Sequence, residues 1–236
     1  MQLRIFDSMN DLSDFASDLI ISAITVKDNL LLCTATGNST TETYKKLVNK
    51  KDRFSCENLR IIKLDEWGGV PAEHPMTCET YLQEKLLRPL QVKPANYFAL
   101  NSNAPDPEQE CSRIEHILKS QGPVDLCILG IGLNGHVAFN EPADFLIPHC
   151  HKASLSPSSL NHPMVRETGV VPKYGLTLGM ANILHASKIM LLISGKSKAS
   201  ITAALMQKKI DTHLPASFLW LHPDVLCLCD KDAMGI

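Results

Sequence analysis

The sequence has no excess of charge of either sign. Its 23 Lys and Arg residues stand against 25 Asp and Glu residues, so we expect no basic surface of the kind that holds a nucleic acid backbone. No apolar run approaches the roughly 20 residues that a membrane-spanning helix needs, and acidic residues interrupt the first 15 positions where a signal peptide would have its apolar core. These absences predict a cytoplasmic protein that binds neither nucleic acid nor membrane.

The chain also lacks paired cysteines of the CxxC type. Its eight cysteines are scattered, and three of them (Cys127, Cys227 and Cys229) lie inside apolar runs, where a free thiol behaves as a small hydrophobic group. We therefore expect reduced core thiols, and neither a disulfide framework nor a zinc site.

Short apolar runs alternate with amphipathic helical patterns along the chain. The predicted strands are Leu30–Thr34, Leu59–Leu64, Tyr97–Leu100, Leu126–Leu129, Ile189–Ser194 and Val225–Cys229. The predicted helices are Ser8–Ile24, Thr40–Val48, Thr77–Leu87, Pro107–Lys119, Leu176–Ala186 and Lys198–Gln207. This alternation predicts one α/β domain over residues 1–236, with a mostly parallel sheet and helices on both of its faces.

Residues 143–174 interrupt the alternation. The segment contains four prolines, Pro148, Pro157, Pro163 and Pro172. A long irregular stretch within a compact domain is usually a functional loop or lid, and sometimes a disordered segment. We predict a lid over the site that the preceding residues form.

Residues 128–142, ILGIGLNGHVAFNEP, contain the densest chemistry in the sequence. A predicted strand runs into glycines, then His136, then Glu141, and open α/β sheets bind ligands where strands end. The glycine spacing could be read as a dinucleotide fingerprint, but that fingerprint belongs in the first βαβ unit and leads into a helix. We reject a dinucleotide cofactor and interpret His136 either as an acid/base group or as a structural histidine.

Three further strand ends carry polar residues. The turn at 36–40, TGNST, is either an anion site at a helix N-terminus or a plain capped helix start, and it is not a Walker A loop. The predicted strand Leu59–Leu64 ends at the motif LDEW, in which the carboxylate of Asp65 is either a general base or a solvated turn residue. Lys196 and Lys198 begin a predicted helix, where a cation opposes the helix dipole, so either an anionic ligand or solvent stabilises them.

With these motifs in order, the chain resembles the glucosamine-6-phosphate deaminase/isomerase family, which is related in fold to 6-phosphogluconolactonases. The resemblance covers nearly the whole chain and includes TGNST at 36–40, LDEW at 64–67, GHVAFNEPA at 135–143 and SGKSKA at 194–199. It implies a Rossmann-like fold, a small amino-sugar phosphate as partner, and an aldose–ketose isomerisation coupled to loss of ammonia. It implies no metal and no other cofactor. The chain also resembles the galactosamine-6-phosphate branch of the family, which implies a role in N-acetylgalactosamine catabolism.

The resemblance also implies roles for single residues. Asp65 is expected to move a proton between C2 and C1, and His136, supported by Glu141, to open the pyranose ring. The expected phosphate ligands are Thr36, Gly37, Asn38, Ser39, Thr40 and Lys198, with Arg166 of the predicted lid as a further contact.

One residue departs from the family pattern, because Asn134 stands where the family has aspartate in Asp-Gly-His. An amide can orient an imidazole but brings no charge to it, so we expect an altered pH–rate profile. Two alternative functions therefore stay open. One is a non-catalytic homologue that binds a sugar phosphate, which Asn134 favours, and the other is a 6-phosphogluconolactonase-like hydrolase. The C4 stereochemistry of the substrate and a homo-oligomeric state are left open at this stage.

Overall fold

The computed structural model describes residues 1–161, 163–166 and 169–236. Within these ranges the strands are, in chain order, β1 (Gln2–Phe6), β2 (Leu31–Thr34), β3 (Arg60–Lys63), β4 (Asp65–Gly68), β5 (Tyr97–Phe98), β6 (Leu126–Leu129), β7 (His151–Ala153), β8 (Tyr174–Thr177), β9 (Lys188–Ile193) and β10 (Val225–Asp230). Seven of them form one sheet in the order β1-β10-β9-β6-β2-β3-β5, and the neighbouring strands of this sheet run parallel. The predicted α/β fold with a mostly parallel sheet is confirmed.

Helices connect most of these strands. Over the same described ranges the α-helices are α1 (Met9–Val26), α2 (Asn38–Asn49), α3 (Cys78–Leu82), α4 (Pro107–Gln121), α5 (Pro157–Leu160), α6 (Pro163–Arg166), α7 (Met180–Leu184), α8 (Ala199–Leu205) and α9 (Lys231–Met234). Side-chain caps begin several of them, since Ser8, Thr77 and Asp106 each accept a hydrogen bond from a backbone N–H in the first turn that follows. None of the described helices has both the length and the apolar content that spanning a membrane requires.

The core lies on both faces of the parallel sheet. On β2, Leu32 packs into one hydrophobic cluster, whereas Leu31 and Cys33 pack into the other, because successive side chains of a strand point to opposite faces. Helices α1 and α2 cover the first face and α4, α7 and α8 cover the second. Burial on both faces explains why the central strands are continuous apolar runs in the sequence.

A second, antiparallel sheet of three strands has the order β4-β8-β7 and was not predicted. The predicted helix at Leu176–Ala186 is wrong over its first residues, because Tyr174–Thr177 form β8 and the helix begins only at Met180. Strand β8 pairs with β4 through Asp65 and Thr177, more than 100 positions apart in the chain. Such long-range pairing overrides local helical periodicity.

The strand order creates a crevice at one point of the large sheet. From β2 the chain proceeds outward to β3 and β5, then returns to place β6 on the other side of β2. The crevice between the carboxyl ends of β2 and β6 is therefore a topological switch point, which is where open α/β sheets bind ligands.

Candidate active site

A cavity of about 580 Å³ occupies this crevice. Its walls come from the segments that follow β2, β3, β6 and β9, joined by α3 and by residues of the predicted lid. Among the lining residues are Thr36, Gly37, Asn38, Ser39, Asp65, Cys78, His136 and Lys198. The tertiary structure therefore brings together four motifs that are up to 162 positions apart in the sequence.

The glycine turn after β2 forms part of the cavity wall. Gly37 precedes the first residue of α2 with a φ of 112°, a conformation that favours glycine. Asn38 and Ser39 begin the helix and line the cavity, so the backbone N–H groups of the first turn of this 12-residue helix are at the site.

Thr40 is placed differently from the other residues of the turn. It is buried, and its hydroxyl donates to the carbonyl of Gly37 over 3.0 Å and lies 3.2 Å from the hydroxyl of Tyr81. The expectation that Thr40 contacts a ligand does not match this geometry, because its side chain stabilises the turn from behind instead of lining the cavity. The helical spacing turns it toward the core.

Lys198 reaches the cavity from the segment after β9. Its Nζ donates to the carbonyl of Ile131 over 2.7 Å, which ties it to the turn after β6. Burial lowers the pKa of Lys198. Lys196, two residues earlier, is exposed and does not line the cavity, so of the two cations singled out in the sequence only Lys198 is placed to contact a ligand.

Asp65 is the first residue of β4 and is 9% exposed. Burial is the main cause that raises the pKa of Asp65, the negative charge of Glu66 adds to it, and Lys63 and Cys78 oppose it, with a resulting pKa of about 7. A carboxyl group with this pKa exchanges a proton readily near neutral pH, which suits a general acid/base.

His136 and Glu141 lie side by side, as the sequence suggested. His136 Nδ1 is 3.2 Å from Glu141 Oε2, an ion-pair distance at which the ring nitrogen is not aligned for a hydrogen bond. Burial acts to raise the pKa of Glu141, but His136 and the donors Ser159 and Asn134 outweigh it, and the pKa falls to about 2. Glu141 is therefore a permanent negative charge next to the imidazole.

Asn134 connects the elements of this group. Its Nδ2 donates to Glu141 Oε2 over 2.9 Å and to Ser156 Oγ over 3.3 Å, and its Oδ1 accepts from the backbone N–H of His136 over 3.2 Å. Asn134 thus fixes the turn that carries His136 and does not itself line the cavity.

The glycines around His136 are required by close packing. A Cβ at Gly132 would lie 2.3 Å from Cε1 of the His136 ring. Gly135 has a φ of 89°, and a Cβ there would lie 2.4 Å from a methyl group of Leu214. The imidazole therefore rests directly on the backbone of the turn after β6.

The predicted lid contributes to the site through α5. Ser158, Ser159 and Asn161 line the cavity, and the Ser159 hydroxyl donates to Glu141. Arg166, at the end of α6, is exposed and does not line the cavity, so the structure does not bring it together with Lys198 and the turn at 36–39. Residues 162, 167 and 168 of the predicted lid lie outside the described residues.

Sequence reasoning missed several residues that line the site. Trp67 and Phe139 pack with their ring centroids 4.5 Å apart. The thiol of Cys78 accepts a hydrogen bond from Thr36 Oγ1 over 3.2 Å and lies 3.9 Å from Asp65 Oδ1. Trp67 and Phe139 stand inside the motifs that were singled out, but Cys78 carries no sequence signal because α3 places it. Over the described part of the chain, no cluster of three or more His, Cys, Asp or Glu side chains could hold a metal ion.

Similar proteins cover the chain from end to end. AgaI of Escherichia coli (strain K12), which is named as a deaminase, is 36% identical over 228 residues. The match covers 96% of this chain and 90% of AgaI. Glucosamine-6-phosphate deaminase 1 of Bacillus subtilis (strain 168) is 34% identical over 240 residues, which is 100% of this chain and 99% of that protein.

Solved structures agree with these relatives. A monomeric glucosamine-6-phosphate deaminase superposes with a TM-score of 0.94 at 34% identity and covers 100% of this chain and 99% of its own. A 6-phosphogluconolactonase from Thermotoga maritima, at 21% identity and a TM-score of 0.77 over 97% of this chain and 99% of its own, shares the fold. Residues 7–227 match the family described as glucosamine-6-phosphate isomerases/6-phosphogluconolactonase, and the chain belongs to that family.

Proposed function

We propose that this protein is an amino-sugar-6-phosphate deaminase/isomerase that converts galactosamine 6-phosphate or glucosamine 6-phosphate to the ketohexose 6-phosphate and ammonia. One observation carries the proposal: Asp65 and His136 line the same cavity as the glycine turn and Lys198. Two acid/base groups and an anion-binding end are what an isomerase of phosphorylated sugars needs. The 34–36% identity to proteins named as deaminases supports this choice within the family.

The phosphate group is assigned to the end of the cavity formed by the turn at 36–39 and Lys198. The first N–H groups of α2 and the helix dipole favour an anion there, and the ammonium of Lys198 adds a positive charge. The phosphate is a remote handle whose binding energy orients the reacting carbons.

Ring opening is assigned to His136. It moves a proton between the O1 hydroxyl and the ring oxygen O5, and the permanent negative charge of Glu141 stabilises the imidazole when it carries that proton. Asn134 and Ser159 hold Glu141 in place. Imidazole suits this step because its charge changes near neutral pH.

Proton transfer between carbons is assigned to Asp65. Ionised Asp65 takes the C2 proton, and the C2 ammonium of the substrate gives a proton to O1, so the C1 carbonyl becomes the hydroxyl of an enolamine. Asp65 then returns its proton to C1. The resulting C2 iminium takes up one water and releases ammonia. Because one water is consumed as the C–N bond breaks, the net reaction is that of a hydrolase acting on C–N bonds.

Amino-sugar phosphates arise in carbohydrate breakdown, so we assign the protein to amino-sugar catabolism in the cytoplasm, with an amino-sugar phosphate as its small-molecule partner. The eight free cysteines support a reducing compartment.

The test is ammonia release from glucosamine 6-phosphate and from galactosamine 6-phosphate, assayed side by side with hydrolysis of 6-phosphogluconolactone. We expect ammonia from at least one amino sugar and no lactone hydrolysis above background, with Asp65→Asn as the control that lowers ammonia release by about 10²–10⁴-fold. Lactone hydrolysis alone would support the 6-phosphogluconolactonase alternative. Binding of sugar phosphates without turnover would support the non-catalytic alternative.

A further inference from the structure

A cluster of buried charges lies behind Asp65, on the side away from the cavity. Lys63 and Glu66 have side chains that are 1% and 0% exposed, and Lys63 Nζ lies 2.6 Å from Glu66 Oε2. Lys63 Nζ also lies 3.0 Å from Glu79, whose carboxylate accepts from the Tyr97 hydroxyl over 2.8 Å. Burying an ion pair is costly and seldom adds to stability by itself, so this cluster calls for another explanation.

Glu66 is the centre of the cluster because its carboxylate accepts four hydrogen bonds. Oε1 accepts from the backbone N–H groups of Trp67 and Cys78 over 2.7 and 2.9 Å. Oε2 accepts from the backbone N–H of Glu79 over 2.9 Å and from Lys63 over 2.6 Å. These bonds occupy about as many lone-pair sites as a carboxylate has, and they fasten β4 to the first turn of α3.

Glu66 directly follows Asp65 in β4, and adjacent side chains of a strand point to opposite faces. Asp65 therefore faces the cavity while Glu66 faces α3. We propose that Glu66 is a positioning residue for Asp65: it anchors the strand that presents the base, and its fixed negative charge keeps Asp65 able to hold a proton between its two transfers. This inference rests on the role of Asp65 in the proposed function.

The groups that face Asp65 come from four elements. Glu66 acts from β4, Lys63 from β3, Cys78 from α3 and Cys33 from β2. Burial is the largest cause that raises the pKa of Asp65, the charge of Glu66 adds to it, and the charge of Lys63 opposes it, so the site disfavours a negative charge on Asp65.

Glu66 also acts through Cys78. It accepts from the backbone N–H of Cys78, and the thiol of that residue lies between Thr36 of the glycine turn and Asp65. Burial, with the charges of Glu66 and Asp65, raises the pKa of Cys78 well above its usual value, so the group next to Asp65 is a neutral thiol. Asp65 and the glycine turn at 36–40 are therefore both linked to Glu66 through Cys78.

The experiment compares Glu66→Gln with Glu79→Gln by the pH dependence of kcat/KM. Glu66→Gln removes the charge next to Asp65 and leaves Lys63, so the acid limb of the profile is expected to move to lower pH by about one unit. Glu79→Gln is the matched control, because it removes a second carboxylate from the same lysine. The Glu79 carboxylate contacts Lys63, Gln83 and Tyr97 and not β4, so the profile of this variant is expected to stay in place.

A double variant separates charge from structure. In Lys63→Met/Glu66→Gln both charges are absent, so the acid limb is expected to return most of the way to that of the unchanged protein. If Glu66 were only structural, the double variant would be as impaired as the single one and neither limb would move. Where Glu66→Gln fails to fold, Glu66→Asp replaces it: the charge is kept, so the limb is expected to stay while kcat falls.

Titration of Asp65 by carbon NMR, with Asp65→Asn to assign its resonance, makes the test independent of turnover. An Asp65 titration midpoint that is the same in the unchanged protein and in Glu66→Gln would overturn the inference, even in an active enzyme. A shifted midpoint in a protein that releases no ammonia would support the link between Glu66 and Asp65 and sink the proposed function instead.

Discussion

Asn134 and Glu141 share a hydrogen bond of 2.9 Å, and the oxygen that accepts it, Oε2, is also 3.2 Å from Nδ1 of His136. One carboxylate oxygen of Glu141 thus contacts both an amide and an imidazole. The amide orients Glu141 without adding charge, so Glu141 alone supplies the negative charge beside His136 in this group.

Asn134→Asp should therefore shift the pH–rate profile. A second carboxylate beside His136 stabilises the protonated imidazole, so the profile is expected to move to higher pH. The matched control is Asn103→Asp, which makes the same charge change at an exposed site. A profile that is identical in Asn134→Asp and in the unchanged protein would contradict this account of the position.

The pH dependence of the reaction should report Asp65 on its acid side. With a pKa raised to about 7, Asp65 is protonated below this pH and cannot accept the C2 proton. We expect kcat/KM to fall as pH drops through about 7, and Asp65→Asn to lose about 10²–10⁴-fold in activity at pH 8. A rate that stays level down to pH 5 would remove Asp65 as the base.

Asp65→Asn should also make the protein more stable at alkaline pH. Because the pKa of Asp65 is higher in the folded than in the unfolded chain, its contribution to stability declines as pH rises from the ordinary carboxyl pKa to about 7. We expect Asp65→Asn to raise the free energy of unfolding by roughly 2–4 kcal/mol at pH 8, and by less at pH 5. Urea unfolding at both pH values measures this, and an equal gain at each would exclude ionisation as the cause.

Lys198→Met should weaken substrate binding more than chemistry. The ammonium is assigned to the phosphate, which does not change during the reaction, so KM is expected to rise about 10–100-fold with a smaller change in kcat. Lys196→Met is the control, since Lys196 is exposed and outside the cavity. Equal effects of the two substitutions on KM would show that general positive charge, and not a specific contact, attracts the substrate.

Gly132→Ala should displace His136. The added Cβ would lie 2.3 Å from the imidazole, whereas at Gly130, in the same segment, the nearest atom would be 4.0 Å away. We expect Gly132→Ala to lose at least ten-fold in kcat while it stays folded by circular dichroism, and Gly130→Ala to lose much less. The reverse order would mean that the ring is not held against this backbone.

Much of the fold was predictable because the parallel strands are buried on both faces. Leu126–Leu129 was predicted without error in either bound, since side chains toward both clusters are apolar. Strand β1 was missed because it is an edge strand whose side chains are mostly exposed. Strands β4, β7 and β8 were missed because their sequences, DEWG, HKA and YGLT, contain no apolar run.

The candidate site was also predictable in part. The sequence determined the chemistry at each strand end: Asp65 after one apolar run, His136 among glycines after another, and Lys198 after a third. Parallel strands carry their carboxyl ends to the same edge of a sheet, so the common location followed from the alternating pattern.

Only the tertiary structure decided how these groups act on one another. Contacts between separate elements decide the inward orientation of Thr40, the exposure of Arg166, the position of the Cys78 thiol beside Asp65 and the hydrogen bonds of Glu66. A side chain's charge state and orientation are set by burial and by neighbours in space, and a linear sequence does not contain those distances.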